Sequence, residues 1–141
     1  MALNPKFSTG FRNALIDGGD VTNMFSGGEL HVYSGTQPAD SDAAEAGTKL
    51  ATIVLPTPAF AASASAGSIA KSGVWSASVD IGGTAAWFRV YDSAVTLGAV
   101  PTAVRMDGTV GTSAADLILN TVTLVALDPL TVDTFSLNLV A

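Results

Sequence analysis

The sequence predicts an all-β protein, an antiparallel β-sandwich or jelly roll of about eight or nine strands with a short N-terminal helix. Two observations carry this prediction. After residue 27, short runs that alternate apolar and polar residues are separated by Gly, Pro, Asp and Asn. Only one stretch, near the N-terminus, has apolar residues at helical spacing. The length of 141 residues fits a single domain, with an N-terminal helical segment or arm (1–27) and a β-body (28–141).

The helix is predicted by apolar residues that recur every four positions behind a hydroxyl residue able to cap them, namely Phe7, Phe11 and Leu15 with Ser8 or Thr9. Gly18-Gly19 ends the pattern, and VTNMF (21–25) adds a further turn. Two interpretations stay open. The helix closes one end of the β-body as a plug, or it docks on a neighbouring subunit through Phe7 and Phe11.

Nine strands are predicted, at 29–35, 49–55, 68–72, 74–81, 85–91, 104–110, 115–119, 122–127 and 131–140. The last alternates most clearly, with Phe135, Leu137 and Leu139 on one face and polar residues on the other. Asp107-Gly108 is typical of a hairpin turn. The uncharged stretch 50–70 is long enough to cross a membrane, but its prolines and small polar residues favour two strands joined by a turn. The N-terminus has no apolar signal-peptide core, so we expect no secretion signal.

The composition of the chain limits the classes of function that it can have. Charged residues make up only 13% of the chain, so much of the surface is small or apolar and is easily desolvated, as an assembly component requires. The net charge is −6 and the basic residues are scattered, which argues against binding to nucleic acid. The absence of cysteine excludes disulfides and thiolate metal sites.

The sequence carries no recognisable catalytic, cofactor or metal motif, so we predict neither an enzyme nor a bound cofactor. The one histidine, His31, lies between two apolar strand residues, where a structural or interface role is expected. Asp40, Asp42 and Glu45 follow Pro38 in an acidic loop. These carboxylates form either a solvated loop or a weak calcium site, since they lack the full EF-hand pattern.

The stretch AAWFRVYDS (85–93) raises the sharpest question about function. On a strand, Trp87, Arg89 and Tyr91 share one face while Ala86, Phe88 and Val90 supply the other for a core. Trp, Tyr and Arg are the residues most enriched in binding hot spots. The face is extended by His31 and Tyr33 if their strand is a neighbour. Either it contacts a partner subunit or a sugar, or a loop or the N-terminal helix covers it.

Three blocks of sequence resemble a family of small structural proteins of tailed bacteriophages: YSGTQPADSDAAEAGTKLATIVLPTPAF (33–60), GTAAWFRVYDS (83–93) and DGTVGTSAADLILN (107–120), the last of which is expected to run as a hairpin from DGTVG into ADL. The resemblance implies a virion protein that is made in the bacterial cytoplasm and has a sandwich or jelly-roll body.

Within that family, the expected role is capsid decoration. Such a cement protein is located on the capsid surface, binds the major capsid protein and other virion proteins, and self-associates as a dimer or trimer. The alternatives are a neck or tail protein and, from another class, a carbohydrate-binding β-sandwich module.

Overall fold

A computed structural model describes residues 4–62 and 64–138, and in these ranges the regular secondary structure is mostly β-strand, as predicted. Two short helices, α1 (Thr9–Ile16) and α2 (Val21–Met24), follow the first strand. The strands are β1 (Lys6–Phe7), β2 (Glu29–Tyr33), β3 (Lys49–Val54), β4 (Ser68–Ala70), β5 (Ser76–Ser78), β6 (Gly83–Thr84), β7 (Trp87–Tyr91), β8 (Arg105–Gly111), β9 (Leu117–Leu119), β10 (Thr123–Leu124) and β11 (Pro129–Asn138).

Most of the strands form one sheet, in the order β3-β2-β7-β8-β9-β11-β4, with β1 beside β8 and β5 beside β11. The pairing is antiparallel except between β8 and β9, which run parallel. The sheet curls, so that β3 at one end comes beside β5. There, the backbone N–H groups of Asp80 and Ile81 donate to the carbonyl of Leu50 at 2.8 and 3.1 Å. The structure therefore has one large curled, mixed sheet, with β6 and β10 paired in a separate two-stranded sheet. The finer prediction of an antiparallel sandwich or jelly roll is not confirmed.

The core lies inside the curl, between the two halves of the sheet. Phe88 on β7 meets Phe135 on β11 edge to face, with ring centroids 5.3 Å apart. Trp75 and Phe60 pack beside them. The prediction that Ala86, Phe88 and Val90 supply a core face is confirmed for Phe88 and Val90, which are fully buried, whereas Ala86 precedes β7 and is only half-buried. All nine predicted strand regions contain a strand, although several are shorter than predicted; residues 139 and 140 of the last lie outside the described ranges.

The predicted turn at Asp107-Gly108 is wrong, because both residues lie in the middle of β8. Gly108 is required by a close approach: a Cβ atom there would lie 2.6 Å from an atom of the Phe88 ring. The expected hairpin from DGTVG into ADL is also wrong, since β8 and β9 pair in parallel, with Val110 opposite Leu117. Asp107 has a long-range partner, Arg89, which a local dipeptide signal does not reveal.

The N-terminal segment packs against its own chain. Ser8 caps α1, as predicted, by accepting a hydrogen bond from the backbone N–H of Phe11. Phe7 is not helical, because it lies in β1 opposite Met106 of β8. Its ring stacks on Phe11, which is fully buried and stacks in turn on Phe25. This packing favours the plug over docking of Phe7 and Phe11 on a neighbouring subunit, because the ring of Phe11 is fully buried and that of Phe7 is half-buried within the chain.

The uncharged stretch 50–70 holds the greater part of β3 and all of β4, which lie at opposite ends of the sheet path and do not pair. Within 4–62 and 64–138, no helix has the length and apolarity needed to cross a membrane.

Candidate functional site

The aromatic and basic residues predicted to share a face do so because β2 and β7 are neighbours. In the antiparallel register, Tyr33 lies opposite Trp87 and His31 lies opposite Arg89. The rings of Tyr33 and Trp87 stack with centroids 4.3 Å apart, and the ring of His31 lies 4.5 Å from that of Tyr91. The guanidinium of Arg89 sits 5.5 Å from the centre of the Trp87 ring. The predicted cluster is therefore assembled in full.

The cluster is buried rather than exposed, which corrects the expectation of an accessible docking face. All five residues are buried, and Trp87, Arg89 and Tyr91 are completely so. Their cover is the 34–48 loop, which joins β2 to β3. Arg89 Nη1 donates to the carbonyl of Ala43 at 2.8 Å, and Arg105 Nε donates to the carbonyl of Ser41 at 3.0 Å. Of the interpretations left open by the sequence, the structure shows the one in which a loop covers the face.

Arg89 is held by a buried carboxylate that lies directly opposite it on β8. Its Nε and Nη2 atoms donate to the two oxygens of Asp107 at 2.6 and 2.8 Å, in a bidentate pair. Burial alone lowers the pKa of Arg89, but the hydrogen bonds and charge of Asp107 outweigh it and raise that pKa. Burial raises the pKa of Asp107, although Arg89 opposes the rise. Such pairs are rigid and specific, because breaking one leaves an unpaired buried charge.

Glu45 is the main polar anchor of the 34–48 loop. Its carboxylate accepts hydrogen bonds from the Gly98 N–H at 2.9 Å, the Tyr91 hydroxyl at 2.8 Å and Arg89 Nη1 at 3.3 Å. Arg105 Nη1 lies 3.6 Å away. Burial raises the pKa of Glu45, but the hydrogen bond from Gly98, with those of other donors and the charge of Arg89, brings it below its usual value. The ionised carboxylate therefore pins the loop to the sheet.

The three loop carboxylates have separate partners, which disagrees with a shared calcium site. Asp40 accepts from the backbone N–H groups of its own turn, whereas Asp42 accepts from the N–H and hydroxyl of Thr9 at 2.8 and 2.6 Å. Glu45 faces the arginines instead. Over the ranges that the structure describes, no three acidic or histidine side chains are grouped as a metal site.

No protein-family model, curated protein or solved structure matches this chain. The functional interpretation therefore rests on the geometry of the chain's own residues and on the resemblance of the three sequence blocks described above.

Sequence reasoning missed Asp107 and Arg105 as members of the buried cluster. A signal for both was present, because in RMDGTVG they occupy alternate positions with Thr109 and so share one strand face. For Glu45, the sequence predicts only a solvated loop or a weak calcium site. Its true partners lie more than 40 residues away along the chain, and no local pattern identifies them.

A second feature is an apolar tip, defined by Ile81, Val125 and Leu127, whose side chains are 51%, 56% and 85% exposed. Val125 and Leu127 lie on one turn, in which the N–H of Asp128 donates to the carbonyl of Val125 at 3.0 Å and that of Leu127 donates to Val79 at 2.8 Å. Ile81 lies close by, since a Cβ atom at the adjacent Gly82 would be 3.8 Å from the Cα atom of Val125. Leu127 has a φ of 72°, a left-handed conformation that disfavours every residue except glycine and a few polar ones. The chain thus holds a large exposed leucine on a strained backbone.

Proposed function

We propose that this protein is a structural component of a tailed-phage virion, a decoration protein that binds the assembled capsid. The observation that carries the proposal is the apolar tip. An exposed apolar group is easily desolvated, and contiguous apolar surface on a protein frequently marks a site of association. A strained conformation that persists in a turn points to a role for the side chain that it presents.

The surroundings of the tip define the partner's chemistry. Asp80 precedes Ile81 and Asp128 follows Leu127, and both aspartates are exposed. A complementary surface is an apolar pocket with basic residues at its rim, because opposite charges at the rim favour encounter and fix the orientation. A junction between shell subunits offers such a composite surface, and binding there stabilises the assembled state by mass action. Self-association as a dimer or trimer at a symmetry axis fits this mode of binding.

The buried cluster supports the same role in a different way. Its arginines, carboxylates and tyrosines bond to one another and to the 34–48 loop, so they rigidify the body on which the tip is carried. The carbohydrate-binding alternative loses its main support, because stacking on a sugar needs exposed rings. Both tryptophans and both tyrosines are buried.

The proposal is tested by quantitative mass spectrometry of purified particles of the phage that encodes the chain, with the major capsid protein as internal reference. A copy number comparable to that of the capsid protein is expected. A trace amount would replace decoration with a neck or tail role. Complete absence from the particles would contradict the proposal of a virion protein.

A further inference from the structure

A continuous chain of hydrogen bonds crosses the buried cluster from β2 to the 34–48 loop. Glu29 Oε2 lies 2.7 Å from His31 Nε2, and His31 Nδ1 lies 3.3 Å from the Tyr33 hydroxyl. The Tyr33 and Tyr91 hydroxyls are 3.0 Å apart, and Tyr91 donates to Glu45 at 2.8 Å. Four contacts thus join five side chains, with an ionisable carboxyl group at each end.

The protons available do not match the number of contacts. Each hydrogen bond needs one proton, so the four contacts need four. With both carboxylates ionised, the two phenols supply one proton each and a neutral imidazole supplies one more. Burial raises the pKa values of Tyr33 and Tyr91, so both hydroxyls keep their protons. A neutral His31 therefore leaves the chain one proton short.

We propose that His31 is a proton sensor, and that the buried chain from Glu29 to Glu45 is complete only when the imidazole takes up its second proton. In the neutral form, the hydrogen of Nε2 serves Glu29, and Nδ1 competes with Tyr91 for the single proton of Tyr33. The contact between Nδ1 and Tyr33 is the longest of the four, at 3.3 Å. In the protonated form, Nδ1 donates to Tyr33, Tyr33 donates to Tyr91, and Tyr91 donates to Glu45.

The surroundings of the His31 ring shift its pKa in both directions. Burial lowers the pKa of His31 and is the largest effect, while the hydrogen bond to Glu29 raises it. The titratable and charged groups that face the ring from β2, β3, β7 and the loop are Glu29, Tyr33, Lys49, Arg89, Tyr91 and Glu45. Because Glu45 anchors the loop, uptake of the proton strengthens the link between β2 and the cover of the cluster.

The test measures the titration of His31 in the full chain, without an affinity tag that adds histidines. Because the sequence has one histidine, long-range ¹H–¹⁵N spectra report its two ring nitrogens without ambiguity. Tyr91→Phe is the decisive variant, since it removes no polar contact of the His31 ring. It frees the proton of Tyr33 for Nδ1 and so satisfies the neutral imidazole. The pKa of His31 is expected to fall by roughly half a pH unit or more.

Thr52→Val is the matched control, because Thr52 lies opposite His31 on β3 but outside the chain of hydrogen bonds. It should leave the pKa of His31 unchanged. A Tyr91→Phe protein that titrates like the wild type would overturn the proposal. If that variant does not fold, Tyr33→Phe gives a second reading. It leaves the Nδ1 hydrogen of the protonated ring without an acceptor, and an unchanged pKa of His31 would again overturn the proposal.

Discussion

Arg89 and Asp107 lie directly opposite each other on β7 and β8, are both fully buried, and are joined by two hydrogen bonds of 2.6 and 2.8 Å. This pair shows whether the aromatic face that contains Arg89 is a docking surface or part of the interior. An arginine offered to a partner would be solvated at its tip, whereas this one donates four hydrogen bonds within the chain, to Asp107 and to the 34–48 loop. The face is therefore part of the folded body.

Substitution of Arg89 is expected to damage folding. Arg89→Ala leaves the carboxylate of Asp107 buried without its partner and should lower the free energy of unfolding by about 3–5 kcal/mol, measured by urea denaturation. The double variant Arg89→Met with Asp107→Leu removes both charges and should recover much of that loss. A single variant within about 0.5 kcal/mol of the wild type would mean that Arg89 is not buried as described.

Glu45 is expected to anchor the 34–48 loop in a pH-dependent way. Because its pKa lies below the usual value, its contribution to stability is present above the unfolded pKa of about 4.3 and is lost as the pH falls through the folded value. Glu45→Gln should cost about 1–2 kcal/mol at neutral pH. The difference from the wild type should shrink between about pH 5 and pH 3.

The control for Glu45 is Asp40→Asn, at an exposed position of the same loop where the amide can still cap the turn. Its difference from the wild type should stay small throughout. If the Glu45→Gln difference is constant with pH, the loop is held by packing and not by this carboxylate.

Ser8 is expected to matter beyond its role as a helix cap. Its hydroxyl accepts from the N–H groups of Phe11 and Arg105 at 3.0 and 2.9 Å, and donates to the carbonyl of Ala103 at 2.7 Å. Ser8→Ala leaves these buried groups without their partner and should cost about 2–3 kcal/mol in thermal or urea unfolding. Ser113→Ala, on an exposed connection, is the control. A loss at Ser8 no larger than at Ser113 would argue against the plug.

The sequence predicted the β-class, the capped helix and the shared face of Trp87, Arg89 and Tyr91, because periodicity and composition encode these locally. It left open whether Tyr33 lies beside Trp87, because that depends on the long-range pairing of β2 with β7. It did not predict what covers the aromatic face. That outcome depends on Glu45 reaching Arg89 and Tyr91 across more than 40 residues. Asp107-Gly108 was assigned to a turn for a related reason: the dipeptide favours one locally, and a distant arginine and a phenylalanine ring override it.

The apolar tip was invisible to sequence reasoning for a different reason. Nothing in the sequence VALDP (125–129) indicates that Leu127 adopts a left-handed conformation, since propensity favours glycine there.

Leu127→Gly should raise the free energy of unfolding by up to about 1 kcal/mol, because it relieves the strained backbone and loses little burial. Ala114→Gly, at another exposed residue with positive φ, should change stability in the same direction. A Leu127→Gly protein less stable than the wild type would show that the side chain serves the fold.

The most direct test of the proposed role combines Leu127→Gly with a sedimentation assay, in which purified protein is mixed with phage particles made without it. The wild type and Ala114→Gly should co-sediment with the particles. Leu127→Gly should lose at least about tenfold in affinity while remaining folded, because it removes an anchor of the interface whose side chain is 85% exposed and contributes little to the body. Equal binding by all three proteins would contradict docking through the apolar tip, and no binding by the wild type would contradict the decoration role itself.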